Sequence, residues 1–356
     1  MNEPIESSQK LGARRARGNS GRVKLEEVAQ RAGVSTATVS RAFNEPEKVS
    51  QSVRERVLEA ARALNWIPNA AGRALASSRT HIAGAIIPTL DNEIFAHQIS
   101  GMQSVFAERG FTLFLGCSNY DPDEGLKQVQ AMLARGVEAL AIVGENHPPE
   151  LFAALQQRKV PYILTYSYRP SSPHPCIGFD NGAAFQQIVE HLLSLGHQRF
   201  AGIFQPETEN DRVKARLDGV RSALTAAGVT MDDDNLMIGP STMDFGASSF
   251  ARLMKQSARS RPTAIICGND NIALGALTAA AEMGLNAPAD FSITGFDDLT
   301  ISSRLSPRLT TMKVDNQEIG ILAARQLLAV IDGTSDAPHS IEVHPQMKIR
   351  ESTGPA

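Results

Sequence analysis

Residues 34–50 read VSTATVSRAFNEPEKVS, a short Thr- and Ser-rich segment carrying Arg41 in a chain of formal net charge −3. Just upstream, LEEVAQRAG (25–33) places Leu25, Val28 and Ala29 on one apolar helical stripe, and Gly33 stops the helix. Ser35 stands where an N-cap belongs, and TATVSRAF follows with Val39 and Phe43 four apart on an inward face. Thr36, Ala37, Ser40 and Arg41 then point outward. Val53, Val57, Ala60, Ala61 and Leu64 form a third stripe, completing a three-helix unit over residues 24–68. Two short helices joined across a Gly turn make a helix-turn-helix, whose second helix enters the major groove. Small side chains at Thr36 and Ala37 let that helix approach bases. Arg41 can reach guanine or phosphate, and the Ser35 hydroxyl at the helix N-terminus suits a phosphate. A generic three-helix bundle with a solvated face would show the same stripes.

Length and charge bound the rest. At 356 residues the chain is too long for one ordinary core. Its 42% hydrophobic and 21% charged residues are those of a globular protein rather than a disordered one. No apolar run approaches the roughly 20 residues of a membrane helix. MNEPIESSQKLGARRARGNSG, residues 1–21, has no signal-peptide core, so a cytoplasmic protein without a membrane partner is expected. Cys117, Cys176 and Cys267 lie far apart with no C-x-x-C pair, which favours reduced thiols over a disulfide or a metal site. Residues 1–80 hold 14 Lys and Arg against 8 Asp and Glu, whereas the remaining 276 hold 21 against 30. A basic head on an acidic body suggests that the head meets a polyanion. Lys10, Arg14, Arg15, Arg17 and Arg22, in a disordered tail over 1–23, would also serve simply as solubilising charges.

From His81 the period changes. IAGAIIP, FTLFLGC, ALAIVG, YILTYS, CIGFDN, FAGIFQP, AIICGN and SITGFD are short β-rich runs. Amphipathic stretches at 93–109, 122–135, 149–158, 182–195, 211–227, 245–257 and 270–283 separate them. Alternation of this kind predicts parallel sheets covered by helices on both faces. There are too many units for one small sheet, so the core is divided into two lobes near residue 180. GFDN (178–181) and GFDD (295–298) end comparable strands in the two halves. Ligands of open α/β sheets bind outside the strand carboxyl ends, which puts a site in the cleft between lobes.

Enzymatic motifs are thin. The chain has no G-x-G-x-x-G, P-loop, G-x-S-x-G or H-E-x-x-H, and no cofactor or catalytic residue is assigned. His191 and His197 bracket a helix end with Gly196 between them, and MDDDN (231–235) reads as a solvated turn.

Residues 24–76, KLEEVAQRAGVSTATVSRAFNEPEKVSQSVRERVLEAARALNWIPNAAGRALA, resemble the DNA-binding head of the lactose/galactose-repressor (LacI/GalR) family. The AGVS-x-x-TVSR and IPN elements together are specific to it, and a looser similarity continues through the chain. The resemblance implies that Thr36, Ala37 and Arg41 read bases. It implies that Ser35, Thr38, Ser40, Asn44 and Asn69 mainly hold phosphates, and it adds Leu25 to the DNA surface. Residues 69–80 become a hinge. NAAGRALA (69–76) is shorter than the roughly 12–15 residues of a stable isolated helix, and Gly72 adds about 1 kcal/mol against it. Such a segment folds only against a partner. In the family two copies pair in the operator's minor groove, with the residue matching Leu75 wedged into the central base step. Gly72 departs from the alanine common there, and Ser77, Ser78 and Thr80 also fit an ordinary linker.

The same resemblance implies a periplasmic-binding-protein-like core over 81–345. Lobe 1 spans about 81–180 with a late crossing near 311–335 that includes LTTMKVD, lobe 2 spans about 181–310, and 346–356 is a C-terminal tail. Arg216 in RVKARLDGV matches an effector-binding arginine; as a surface ion pair Arg212, one turn away, would fit better. Asn269 and Asp297 match ligand contacts, although N-capping also explains Asn269. Thr89, Asp91 and Phe95 lie in the first strand-to-helix loop, and Asn316 follows the late crossing. Tyr166 stands where sugar-responsive members often carry aspartate, which points from a neutral sugar towards a sugar acid. The expectation is therefore a homodimeric regulator of double-stranded operator DNA, controlled by a small polar effector. With IRESTGPA ending the chain without a further heptad, dimers are expected rather than tetramers. A ligand-responsive activator or dual regulator, and a sugar-binding protein without DNA activity, are the competing readings.

Overall fold

Gly33 ends the first helix because it takes φ +65, a left-handed backbone that glycine adopts without a Cβ penalty. A computed structural model describes residues 23–67, 79–208 and 210–356. The basic tail over residues 1–22 and the hinge residues Asn69, Gly72 and Leu75 lie outside that set. The described chain forms two compact units, one ending at Thr80 and one beginning at His81.

The first unit holds α1 (Leu25–Ala32), α2 (Thr36–Asn44) and α3 (Gln51–Ala63). Val28 from α1, Val39 from α2 and Val57 from α3 are fully buried together, with Ala29, Ala42 and Ala60 beside them. Phe43 and Trp66 close one end, their ring centroids 5.4 Å apart. A core this small is mostly alanine and valine, so it brings the helices close and leaves polar side chains nowhere to go but outward.

The second unit begins with β1 (Ile82–Ile87), α4 (Glu93–Glu108), β2 (Thr112–Cys117) and α5 (Pro122–Ala134). It continues with β3 (Ala139–Val143), α6 (Pro149–Gln157), β4 (Tyr162–Thr165) and β5 (Cys176–Gly178). Next come α7 (Asn181–Ser194), β6 (Phe200–Phe204), α8 (Asp211–Ala226), β7 (Leu236–Ile238) and α9 (Met243–Met254). Then follow β8 (Ala264–Cys267), α10 (Asp270–Glu282), β9 (Ser292–Thr294), β10 (Thr311–Lys313), α11 (Asn316–Ile331), β11 (Ile341–Glu342) and β12 (Gln346–Lys348). Lobe 1 is a parallel sheet in the order β11-β5-β4-β3-β1-β2, and lobe 2 a parallel sheet in the order β7-β6-β8-β9. Every residue of β3 is buried, as a strand covered on both faces requires. Helix α11 belongs to lobe 1, where it packs along α4.

Residues 346–356 are not a tail. Strand β12 pairs antiparallel with β10, and Ile293 N–H donates to Ser352 O at 2.9 Å. The Ser352 side chain is fully buried, accepting from Thr310 N–H at 2.8 Å. Their physical role was hidden because the pairing is non-local and too short to show a period. The chain thus crosses between lobes after β5, between β9 and α11, and again after β11. His191 and His197, at the end of α7, hold this last segment: His191 Nε2 meets Thr353 Oγ1 at 3.0 Å, and His197 Nε2 meets Gly354 O at 3.1 Å. The GFDN and GFDD echo marks two of the crossings, and Phe179 and Phe296 from them lie 5.6 Å apart.

Candidate nucleic-acid interface and interlobe cleft

On α2 the buried residues are Val39 and Ala42, which leaves Thr36, Ala37, Arg41 and Asn44 exposed on the far side. Ser35 caps the helix, its hydroxyl accepting Thr38 N–H at 3.2 Å and lying 2.9 Å from the Thr38 hydroxyl. Asn44 donates to Ser40 Oγ at 3.1 Å. Polar groups, one guanidinium and small side chains therefore share one accessible face. Leu25 does not join them: it is half-buried against the core of the head. Its stripe with Val28 explains that placement.

In the second unit the strand ends converge on Arg216. Its side chain lies 4.2 Å above the Phe296 ring, with the Phe185 ring 5.5 Å away. Nε donates to Asn181 Oδ1 at 2.8 Å and Nη1 to Gly268 O at 2.9 Å. Arg216 is buried, not a surface ion-pair residue, and burial lowers its pKa to about 10 against the pull of Asp297. Asp297 is buried at φ +110 on the loop after β9, and burial pushes its carboxyl up to about 8, with Arg216 holding it down. Burial thus favours the protonated acid and Arg216 the carboxylate.

Asp270 fixes that loop. Its backbone N–H donates to Phe296 O at 2.9 Å, and its carboxylate accepts from Leu299 N at 2.8 Å and from Ser302 Oγ and Thr311 Oγ1, both at 2.6 Å. Asp297 and Asp298 both have positive φ, and these bonds bracket them.

The other expected effector residues divide. Phe95 and Tyr166 are buried in lobe 1 with rings edge-on at 5.5 Å. The Tyr166 hydroxyl donates to Ile94 O at 3.0 Å, so it has no proton to offer a ligand. Asn269 is the N-cap of α10: Oδ1 accepts Ile272 N–H at 3.1 Å while Nδ2 donates to Ser241 Oγ. Both ends of that amide are committed within the protein, as capping chemistry demands. Thr89 Oγ1 accepts Asp91 N–H at 3.1 Å in the first strand-to-helix loop. Asn316 is buried at the start of α11 with Oδ1 unpartnered among the described residues.

Two residues were missed or misplaced by sequence reasoning. Asn181 joins the lobes, accepting from Arg216 and donating to Tyr166 O at 2.9 Å; its place in the GFDN echo was the available signal. Arg212 is no surface ion pair, for its side chain is only 11% exposed. With Tyr120, His147, Asp211, Pro88 and Val143 it lines a small cavity of mixed polarity outside β2 and β3. Its i, i+4 spacing from Arg216 was the signal. Among the described residues no group of three or more His, Cys, Asp or Glu could hold a metal ion, and no helix is long and apolar enough to cross a membrane.

These features have counterparts in known proteins. Residues 24–69 match the model of bacterial regulatory proteins of the lacI family, and residues 189–353 match a periplasmic binding protein-like domain. Catabolite control protein A of Priestia megaterium is 30% identical over 331 residues, 93% of this chain and 99% of that protein. The regulator GntR of Pseudomonas aeruginosa is 31% identical over 336 residues, 94% and 96% of the two chains. The repressor CytR of Escherichia coli K12 is 30% identical over 329 residues, 92% and 96%. Among solved structures, a Lac repressor dimer bound to operator and the anti-inducer ONPF superposes with a TM-score of 0.81 at 27% identity, covering 94% of this chain and 99% of that one. The relatives are regulators rather than enzymes. With an exposed recognition face on its helix-turn-helix and a two-lobed binding core, this chain belongs to the LacI family of DNA-binding transcriptional regulators.

Proposed function

We propose that the protein is a homodimeric repressor that binds a palindromic operator controlling a carbohydrate or sugar-acid catabolic operon. A small polar metabolite in the interlobe cleft controls it. The observation that carries the DNA reading is the outward face of α2, where Thr36, Ala37 and Arg41 are exposed over a buried Val39. One head covers about half a palindrome, and two-fold symmetry supplies the other half. The Lac repressor dimer on its operator supports that arrangement. For the effector, a sugar acid or related polar metabolite fits better than a purine or a neutral disaccharide. Arginine in the cleft, a carboxyl at Asp297 whose pKa burial raises, and Tyr166 in place of a carboxylate all reduce repulsion of an anion.

Selection of bound sites from random DNA, followed by anisotropy with Arg41→Ala, tests the DNA reading. If Arg41 holds a guanine, the variant loses about 1–3 kcal/mol on the selected site and relaxes base choice at one position per half-site. Equal losses on selected and random DNA would instead make Arg41 a phosphate contact. Failure of the wild-type protein to select any sequence would refute the regulator.

A further inference from the structure

We propose that Arg350 is a positioning residue of the cleft: through Asp298 it anchors the loop that presents Asp297, and its effect on the effector rests on the metabolite-binding reading above. Arg350 follows β12 in the last crossing. Its Nη2 donates to Asp298 Oδ1 at 2.6 Å and its Nη1 to Leu309 O at 2.8 Å. Both charged side chains are largely enclosed, 15% and 13% exposed. The backbone beneath is pinned too, since Arg350 N–H donates to Thr310 Oγ1 at 2.9 Å. A planar guanidinium fixed on a main-chain carbonyl gives Asp298 one place to sit.

The loop needs such an anchor. Asp297 and Asp298 take φ +110 and +55 in succession, and neither is glycine. Left-handed backbone is uncommon for residues with a Cβ and persists only where the surroundings over-determine it. Gly295 N–H donates to Thr310 O and Asp297 N–H to Met312 O, both at 2.9 Å. Leu299 N–H donates to Asp270 Oδ2 at 2.8 Å. These bonds secure the loop on either side of Asp298, and the Arg350 side chain secures Asp298 itself.

The neighbouring Arg308–Glu351 pair is exposed, so water replaces it readily. Removing one partner of an enclosed pair instead leaves the other charge unmatched away from water. Without Arg350, the Asp298 carboxylate would turn outward and draw Asp297 from its buried place.

The test uses the full chain with Arg350→Gln, Asp298→Asn and, as the exposed control, Arg308→Gln. Asp297 reports its own position, because burial places its pKa at about 8. Between about pH 7 and 8 the wild-type unfolding constant should rise about fivefold more than that of Asp297→Asn. Measured in the Arg350→Gln background, with and without Asp297→Asn, that excess should fall below about twofold. A carboxyl drawn into water is ionised well below pH 7 in both states. Asp298→Asn, which a left-handed backbone tolerates, should act in the same sense, and Arg308→Gln should keep the excess. Lower stability in Arg350→Gln with the fivefold excess intact would make Arg350 purely structural and overturn the assignment.

Calorimetry with D-gluconate, D-glucuronate, D-glucose 6-phosphate and D-glucose reads the ligand side. A probe that binds the wild type should bind Arg350→Gln about tenfold more weakly and Arg308→Gln within about twofold. Equal affinity for wild type and Arg350→Gln overturns the positioning role. Should no probe bind the wild type while the pH excess behaves as expected, the metabolite reading fails and the anchoring of Asp297 by Arg350 stands.

Discussion

Asp297, buried and under the influence of Arg216, is a single carboxyl whose ionisation can be measured rather than inferred. Burial pushes Asp297 to about 8, far above the roughly 3.9 of an exposed aspartate. Folding then favours the protonated acid. Its contribution to stability is complete below about pH 4 and is lost as pH rises through about 8. Asp270, raised to about 6 by burial, acts in the same sense but has finished by neutrality. His147, His174, His191 and His197 act oppositely, because burial lowers their pKa and protonation below about pH 6.5 disfavours the fold. The window from about pH 7 to 8 therefore belongs to Asp297. Urea melts across it should show stability falling, with a slope of at most about 1.4 kcal/mol per pH unit, and Asp297→Asn should flatten that slope. An equal decline in the variant would put the ionisation elsewhere. Arg216 and Asp297 were singled out through the family resemblance rather than by any local pattern, and both are buried. The enclosure of Arg212 was not legible, since spacing gives its face on α8 but not that Gly144 closes over it from the other lobe.

Elements were legible where local chemistry sets their ends. Gly33 stops α1 by its left-handed backbone and Ser35 opens α2 by its hydroxyl, both of which are choices of one residue. Strands β10, β11 and β12 have two or three residues each and gain their identity only from distant partners, so no period announces them. Packing between helices is equally silent in the sequence. A Cβ on Gly320 in α11 would collide with Gln98 O of α4, and one on Gly101 in α4 with Gln317 O of α11. These two glycines let the helices touch backbone to backbone along lobe 1. Alanine at 320 would improve helix propensity by about 1 kcal/mol, yet forcing the helices apart should cost more. Gly320→Ala is therefore expected to destabilise the core by about 1–3 kcal/mol in urea titrations. A gain in stability would show that the interface has slack.

At the scale of the whole molecule, two lobes are joined by three chain crossings, and a ligand that binds two arrangements of such lobes unequally must change the affinity at a second site. For that coupling the lobes must each stay intact while the crossings move, and the end of the chain bears on the first requirement. IRESTGPA reads as a tail because it is short, polar and rich in turn residues, yet its Ser352 is fully buried. Ser352 donates to Ile293 O at 2.6 Å, and Gly354 N–H donates to Ser292 Oγ at 3.0 Å. Ala356 N–H reaches back to Leu195 O at 3.0 Å, closing lobe 2 from outside β9 to the end of α7. Deleting residues 351–356 removes the Arg308–Glu351 ion pair, which is exposed and counts for little. It also strips the buried Thr310 N–H and the Ile293 N–H of their partners and removes Gly354 O from Ser292 and His197, which keep each other. An unsatisfied buried group costs about 1–3 kcal/mol, so the truncation should destabilise lobe 2 by about 3 kcal/mol or more. Ser352→Ala alone should lose roughly a third to a half of that, since it leaves Thr310 N–H and Ile293 O without their side-chain partner but keeps the backbone in place. Thermal melts of both variants, with limited proteolysis to map opening to lobe 2, would test it. Melting unchanged by the deletion, or first cleavage in lobe 1, would show that the terminal segment only lies against lobe 2 without holding it.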